Sequence, residues 1–115
     1  MTTSNPKQTE IWYVNLDSTI GAEKNKSRPV VVISKNVLNS SDLRIVVPIT
    51  ERKDSHDKFI WMIPLKIDKQ NNLTKDSSID CMHIRSIDKK RFTNKIGKIS
   101  PATLNDIKAI LNIIT

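Results

Sequence analysis

The sequence predicts a small, strongly curved antiparallel β-barrel with a single helix at its C-terminal end. Short segments rich in β-branched and aromatic residues are separated by polar loops, which is typical of an all-β protein. The chain has only two glycines, and a helical pattern occurs once, so a parallel sheet of alternating strands and helices is not indicated. With 115 residues, the chain fits one domain.

The first three predicted strands follow a polar N-terminal segment. Residues 1–9 are expected to form a flexible tail without contacts, which leaves residues 10–115 as the folded domain. Residues Ile11–Leu16 are rich in β-branched and aromatic side chains and predict the first strand. After a polar loop, Pro29–Ser34 and Leu43–Ile49 are continuous apolar runs, and such runs predict buried strands.

The remaining strands are predicted from shorter signals. Residues Phe59–Leu65 mix aromatic and aliphatic side chains, and Ser78–Ile84 form a β-like segment after the turn signal at residues 71–72. A polar connection over Ser86–Arg91 then leads to a short strand from Phe92 to Ile99. The sheet is therefore expected to contain at least five strands.

The C-terminal segment carries the one helix signal. Ser100 is a good N-cap residue, and Pro101 suits the first helical position, so the helix is predicted to begin there. Apolar residues then recur at spacings of three and four, which places them on one face that packs onto the sheet. These residues are Leu104, Ile107, Leu111 and Ile114.

Charge and cysteine content narrow the function classes. The 19 Lys and Arg residues exceed the 12 Asp and Glu residues, giving a net charge of +7, which favours polyanionic partners such as nucleic acid or an acidic protein. Cys81 is the only cysteine, so an intrachain disulfide and a paired-cysteine zinc site are excluded, and a reducing cytoplasm is the expected location. Neither a signal peptide nor an apolar run long enough for a membrane span is seen.

Two histidines are the first candidates for acid–base chemistry, because histidine titrates near neutral pH. His56 lies in a wholly polar loop and is interpreted as a solvated surface residue, although it can contact a substrate there. His83 ends a predicted strand and is interpreted as a partly buried, hydrogen-bonded residue that can also touch substrate. Neither has a partner spaced for metal binding, so no histidine metal site is predicted.

The loop over residues 21–29 is a second candidate, because it places one carboxylate and three cations just before a buried strand. These charged residues are Glu23, Lys24, Lys26 and Arg28. Such a loop would lie at the rim of a barrel, where it either binds a ligand or forms an ordinary solvated turn. Composition leaves both interpretations open.

Four blocks of the sequence resemble, in order and spacing, the successive blocks of MazF/PemK-type toxins. They are Ile11–Asp17, Gly21–Glu23 with Arg28–Ser34, Val47–Thr50, and Ile84–Arg91. Together with Lys95–Lys98 and the final helix, the resemblance covers about residues 8–115. It differs where Thr9 precedes Glu10 in place of the usual glycine, and where His83 stands in place of a common glutamine.

The resemblance implies an SH3-like barrel that forms homodimers and cuts single-stranded RNA without a metal or other cofactor. It also implies inhibition by a cognate antitoxin of the MazE kind, with operator DNA bound only through that antitoxin. Arg28 matches the catalytic arginine of the family and Thr50 its catalytic threonine. Glu23 matches an acidic position that is implicated in some members.

These residue types suit cleavage of RNA by its own 2′-OH, which yields a 2′,3′-cyclic phosphate and a 5′-OH. The guanidinium of Arg28 would clamp the phosphate, and Thr50 would donate its hydroxyl to the same oxygens. Glu23 is the best local candidate to take the 2′-OH proton. The expected RNA contacts are Lys24, Lys26, His56, His83, Arg85 and Lys89, although the basic run from Arg85 to Arg91 is equally typical of a solvated face.

Two other functions compete with RNA cleavage. A CcdB-like toxin has the same type of barrel but inhibits gyrase by binding it, and the presence of both Arg28 and Thr50 argues against this alternative. A basic DNA-binding autoregulator is supported by the net charge, but no helix-turn-helix pattern accompanies it.

Overall fold

The computed structural model describes residues 4–16 and 27–115, and these residues form seven β-strands, short 3₁₀ helices and one α-helix. The regular elements are β1 (Glu10–Asn15), β2 (Ser27–Val32), β3 (Leu43–Glu51), β4 (Met62–Leu65), β5 (Ser77–Asp80), β6 (Arg85–Asp88), β7 (Phe92–Lys98) and α1 (Pro101–Ile114).

The sheet is antiparallel in every ladder, with strand order β4-β5-β3-β2-β1-β7. Strand β6 lies off this path and pairs with the first half of β3, while β5 pairs with the last three residues of β3. Strand β3 therefore passes from one neighbour to another along its length. The predicted class, a mainly β fold with a C-terminal helix, is confirmed, although no ladder closes the barrel within the described residues.

Apolar side chains cover both faces of the central strands. Val31 lies in the core on the helix side of the sheet, whereas Val30 and Val32 lie in a second core formed with β6 and β7. On β3, Val47 lies in the helix-side core and Val46 lies in the second core. Successive side chains on a strand point to opposite faces, so a strand with two buried faces needs an unbroken apolar run. This explains why β2 and β3 show no polar alternation.

The helix begins and packs as the sequence predicts. The Ser100 hydroxyl accepts a hydrogen bond from the backbone N–H of Thr103, and Pro101 occupies the first turn. Leu104 and Ile107 are buried in the helix-side core, and Leu111 and Ile114, together with Ile110, pack against it. Within residues 4–16 and 27–115, no helix has the length and apolarity that a membrane span requires.

Three predicted boundaries differ from the structure. The predicted strand Phe59–Leu65 is regular only from Met62, because a turn precedes it in which Phe59 and Trp61 stack with ring centroids 4.6 Å apart. The predicted strand Ser78–Ile84 ends at Asp80, whose side chain accepts the Met82 N–H and starts a 3₁₀ helix. The expected connection after it begins with a strand, β6.

The prediction that the N-terminal segment makes no contacts is wrong for residues 4–9. Pro6 is fully buried, and its carbonyl accepts a 2.8 Å hydrogen bond from Nε of the buried Arg44. The Gln8 side chain donates to the Ile33 carbonyl at 2.8 Å. A buried guanidinium needs acceptors, and this polar segment supplies them.

Gly97 on β7 lies against the loop that joins β4 to β5. A Cβ atom there would stand 2.3 Å from the Gln70 carbonyl oxygen and 2.7 Å from backbone atoms of Asn71. The loop cannot retreat without losing the 3.0 Å bond from the Lys98 N–H to the same Gln70 oxygen. Gly97 is therefore required for this close approach of two backbones.

We expect Gly97→Ala to lower the free energy of unfolding by about 3 kcal/mol, the upper end of the range for overpacking, because the clash is with backbone. Thermal melting measures the effect. Asn94→Ala on the exposed part of the same strand is the matched control and should melt within about 0.5 kcal/mol of wild type. A Gly97→Ala protein as stable as this control would contradict the prediction.

Candidate functional site

Arg28 on β2 and Thr50 on β3 line the same part of the protein surface. The β2–β3 ladder ends where Val30 pairs with Pro48, and Arg28 and Thr50 each lie two residues beyond this last pair. Both side chains line the same groove on the surface. Thr50 is half-buried and Arg28 is exposed. Two residues that are 22 positions apart in sequence thus form one polar pair at the end of two strands.

Strand pairing shows which face of the sheet carries this pair. Ile49 and Ile79 oppose each other on β3 and β5 and both lie in the helix-side core. Thr50 and its partner Ser78 are the next pair, so their side chains point to the opposite face. That face holds a groove of about 420 Å³ whose polar lining residues are Arg28, Thr50, His56, Asp80, His83 and Arg85.

His56 is buried beneath the groove, so the prediction that it is a solvated surface residue is wrong. Its Nδ1 lies 2.8 Å from the Ser78 hydroxyl and 3.3 Å from the backbone N–H of Lys53. Because a backbone N–H can only donate, Nδ1 is the acceptor and the proton is on Nε2. The 3₁₀ helix Asp54–Lys58 folds over β5 and buries the imidazole ring.

His83 is exposed at the groove, so the prediction that it is partly buried is also wrong, while the prediction that it is hydrogen-bonded is confirmed. Its side chain is 74% exposed, and its Nδ1 lies 2.6 Å from Oδ2 of Asp80, whose side chain is only 12% exposed. The other Asp80 oxygen accepts the Met82 N–H at 3.0 Å. The 3₁₀ helix over Cys81–His83 therefore holds the carboxylate and the ring together.

The groove is positively charged. Arg28 and Arg85 line it, and no carboxylate of the described residues forms an ion pair with either. Asp80 is the one acidic side chain among the described residues of this lining, and it contacts His83. Burial and, to a lesser degree, the charge of Asp80 raise the pKa of the Cys81 thiol to about 11. Cys81 therefore stays a neutral core residue at physiological pH.

The structure does not bring every predicted RNA contact to the groove. Lys89 forms an ion pair with Asp42 at 3.5 Å, at the end of the β3–β6 ladder where Leu43 opposes Asp88. The groove is lined by Arg85 and Ile87 of β6, but not by Lys89, which follows this strand. Three predicted site residues, Glu23, Lys24 and Lys26, lie outside the described residues.

A second cleft of about 520 Å³ adjoins the first, and Arg28 and Thr50 line both. Its other wall comes from the loop between β4 and β5 and includes Asn72, Thr74 and Lys75. Tyr13 also lines it, with 41% of its surface exposed. The Arg28–Thr50 pair thus lines two adjoining clefts.

Sequence reasoning missed Asp80 and Ser78, the two β5 residues that hold the histidines. The signal for Asp80 was its place three residues before His83 at the end of a strand, where an aspartate can cap a short turn. Ser78 gave no signal, because its contact with His56 spans 22 residues. In the part of the chain that the structure describes, no three His, Cys, Asp or Glu side chains cluster as metal ligands would.

The fold and the groove define a small antiparallel β protein with a cationic cleft that carries two arginines, a threonine and two histidines. A family model described as "PemK-like, MazF-like toxin of type II toxin-antitoxin system" matches residues 7–115. The chain belongs to this toxin family.

Relatives of known name have similar sequences and folds. Endoribonuclease MazF9 of Mycobacterium tuberculosis is 31% identical over 110 residues, covering 90% of this chain and 91% of the relative. Endoribonuclease EndoA of Bacillus subtilis is 30% identical over 109 residues, covering 93% and 91%. The crystal structure of MazF from Deinococcus radiodurans has a TM-score of 0.74 at 19% identity and covers 96% of both chains. A MazE–MazF structure from the same organism has a TM-score of 0.75 at 18% identity, again over 96% of both chains.

Proposed function

We propose that the protein is the toxin of a type II toxin–antitoxin system and acts as a sequence-specific, metal-independent endoribonuclease on single-stranded RNA, including mRNA. The observation that carries the proposal is that Arg28 and Thr50 line one open cationic groove. The named relatives at 30% identity or more are endoribonucleases, which supports the same class of reaction.

The proposed reaction uses the ribose 2′-OH as nucleophile. Its oxygen forms a bond to the adjacent phosphorus while the bond to the 5′-oxygen breaks, which leaves a 2′,3′-cyclic phosphate and a 5′-OH. Negative charge grows on the phosphoryl oxygens during this step. The exposed guanidinium of Arg28 offers several planar N–H donors to those oxygens, and the Thr50 hydroxyl adds one more from the neighbouring strand.

Single-stranded RNA fits the two clefts better than a duplex does, because unstacked bases can enter them. Arg85 and Arg28 would attract the phosphates, and His56 and His83 line the same groove. The exposed ring of Tyr13 offers one stacking surface in the second cleft. Lys24, Lys26 and Lys89 remain predicted contacts, and Glu23 remains a predicted catalytic residue.

We also propose the partners that belong to this function. The toxin forms a homodimer. A cognate MazE-like antitoxin inhibits it, a proposal supported by solved structures of similar fold that include a MazE–MazF complex and an endoribonuclease in complex with its cognate antitoxin. An acidic antitoxin segment would compete with RNA for Arg28 and Arg85. Operator DNA is contacted only through the antitoxin, and the site of action is the cytoplasm.

Cleavage in EDTA tests the function. The purified chain should cut single-stranded RNA at a short recurring sequence in excess EDTA, and the fragments should carry 2′,3′-cyclic phosphate and 5′-OH ends. End-specific labelling identifies both ends, and mapping of the cuts gives the sequence preference. Intact RNA together with gyrase inhibition would favour the CcdB-like alternative, and DNA binding without cleavage would favour an autoregulator.

A further inference from the structure

We propose that His83 is the general base that removes the proton from the attacking 2′-OH, and that Asp80 is its positioning residue. This inference rests on the proposed function and assigns the proton transfer that neither Arg28 nor Thr50 performs well. A guanidinium is protonated at all physiological pH values, and a threonine hydroxyl is a very weak base, so both serve as donors. The reaction therefore needs another group in the groove.

The hydrogen bond between Asp80 and His83 fixes which ring nitrogen is free. An ionised carboxylate can only accept, so the neutral imidazole carries its proton on Nδ1, 2.6 Å from Asp80 Oδ2. The lone pair is then on Nε2, for which no hydrogen-bond partner exists among the described residues. With 74% of the side chain exposed, this nitrogen is accessible from the groove. An accessible Nε2 lone pair is what a general base requires.

Asp80 is suited to its role because it is nearly buried and held at both oxygens. Its Oδ1 accepts the Met82 N–H at 3.0 Å while Oδ2 contacts the ring. The fixed negative charge stabilises the imidazolium that forms when His83 takes a proton. The same contact sets the orientation of the ring, which is the common function of a carboxylate beside a catalytic histidine.

Sheet geometry places this dyad near the Arg28–Thr50 pair. Thr50 opposes Ser78 on β5, and Asp80 follows two residues later on the same face of that strand. Diagonal neighbours of this kind have Cα atoms about 7–8 Å apart. His83 and the Arg28–Thr50 pair also line one groove of about 420 Å³.

His56 is the other histidine of the groove, but its geometry makes it unsuitable as the base. Its Nδ1 already accepts the Lys53 N–H and contacts the Ser78 hydroxyl, so its proton is on Nε2 and its lone pair is used inside the protein. The two histidines therefore have opposite tautomers. Of the two, His83 alone presents a free acceptor nitrogen.

Each proton that moves in this step has both a donor and an acceptor. The 2′-OH proton passes to Nε2 of His83 as the new O2′–P bond forms, and a water molecule of the open groove gives a proton to the departing 5′-oxygen. The imidazolium then returns its proton to the resulting hydroxide. No oxidant, reductant or metal enters this sequence.

Three charged side chains of the described residues share the groove with His83, namely Asp80 from β5, Arg28 from β2 and Arg85 from β6, and His56 lines it as well. Buried Cys81 stays neutral because burial raises its pKa to about 11. A base must be deprotonated to act, so kcat should rise with pH, pass through one inflection and then level off.

The test compares pH–rate profiles of wild type and of variants at His83, Asp80 and Glu23 on one RNA substrate in EDTA. His83→Gln keeps an amide near the Nε2 position and can contact RNA, yet it cannot take a proton at neutral pH. We expect its kcat to fall at least about a hundredfold with little change in KM, and the inflection in the pH–rate profile to disappear. Asp80→Asn should lower kcat and shift the inflection to lower pH, because the lost negative charge no longer favours the imidazolium.

Chemical rescue separates proton transfer from a structural role. Added imidazole should restore part of the cleavage by His83→Ala, because the groove is open at this side chain, and should not restore Arg28→Ala. Glu23→Gln should keep the inflection if His83 is the base. His83→Asn retains a donor to Asp80 and serves as the folding control, with melting curves for every variant.

Three outcomes would overturn the assignment of His83 as the general base. Retained kcat and pH profile in His83→Gln would overturn the proposal, and so would a loss in His83→Ala that imidazole leaves unchanged. Loss of the inflection in Glu23→Gln would assign the base to Glu23 and would also overturn it. In all three cases wild type still cleaves RNA, so the proposed function stands. Only a wild-type chain that leaves RNA intact would reject the function itself.

Discussion

Arg28→Ala should abolish most RNA cleavage while the protein remains folded. Arg28 is the exposed member of the Arg28–Thr50 pair, so its truncation removes little packing, and stability should change by less than about 0.5 kcal/mol. One well-placed donor to a developing transition-state charge is worth about 3–4 kcal/mol, which corresponds to a hundred- to a thousandfold in rate. Single-turnover cleavage with saturating enzyme measures this loss separately from RNA binding.

Two further variants show what Arg28 contributes. Arg28→Lys keeps the charge but not the planar fork of donors, so it should recover only part of the rate. Lys108→Ala removes one positive charge from the exposed surface of α1, on the other side of the sheet, and should cleave at close to the wild-type rate. Near-normal cleavage by a folded Arg28→Ala protein would refute the site, and an unfolded Arg28→Ala protein would show that Arg28 is structural.

The strands that the sequence predicts well are those with a simple burial pattern. β2 and β3 are buried on both faces, so their apolar runs are visible in the sequence, and α1 has both a cap and a periodic apolar face. β6 was missed because, of its four residues, only Ile87 is buried. So short a segment shows neither an alternation of apolar and polar residues nor a continuous apolar run.

The candidate site is predicted from the resemblance to a family. Arg28 and Thr50 match family positions, and in the structure these distant residues line one groove. The histidines depended on contacts that local sequence does not encode. His56 is buried because a polar loop packs on Ser78. His83 is exposed at the end of the short 3₁₀ helix that the Asp80 cap begins.

Arg44 is the residue whose loss should destabilise the protein most. Its side chain is completely buried, and no carboxylate of the described residues pairs with it. The guanidinium instead donates to the carbonyls of Pro6 and Ser41, each at 2.8 Å, and to Oδ1 of Asn5 at 2.9 Å. One buried cation thus joins the N-terminal segment to β3.

Arg44→Met keeps the length and the apolar stem but leaves these acceptors without their donor. Each unsatisfied buried polar group costs about 1–3 kcal/mol, so the total should be about 2–4 kcal/mol even though Asn5 can turn to solvent. At about 4 °C per kcal/mol, the melting temperature should fall by about 8–16 °C. Asn5→Ala, which removes only the exposed acceptor, should lose less than about 1 kcal/mol.

The Arg44 prediction also has a local readout, because the same hydrogen bonds hold residues 4–9 in place. In Arg44→Met, the amide of Thr9, which donates to the Val32 carbonyl at 2.8 Å, should exchange with solvent much faster than in wild type. The exchange rates of amides in α1 should change only as far as the global stability changes. If Arg44→Met melts like wild type, the carbonyls find other donors and the cation is dispensable. If it melts early but Thr9 stays protected, Arg44 stabilises β3 without holding the N-terminal segment.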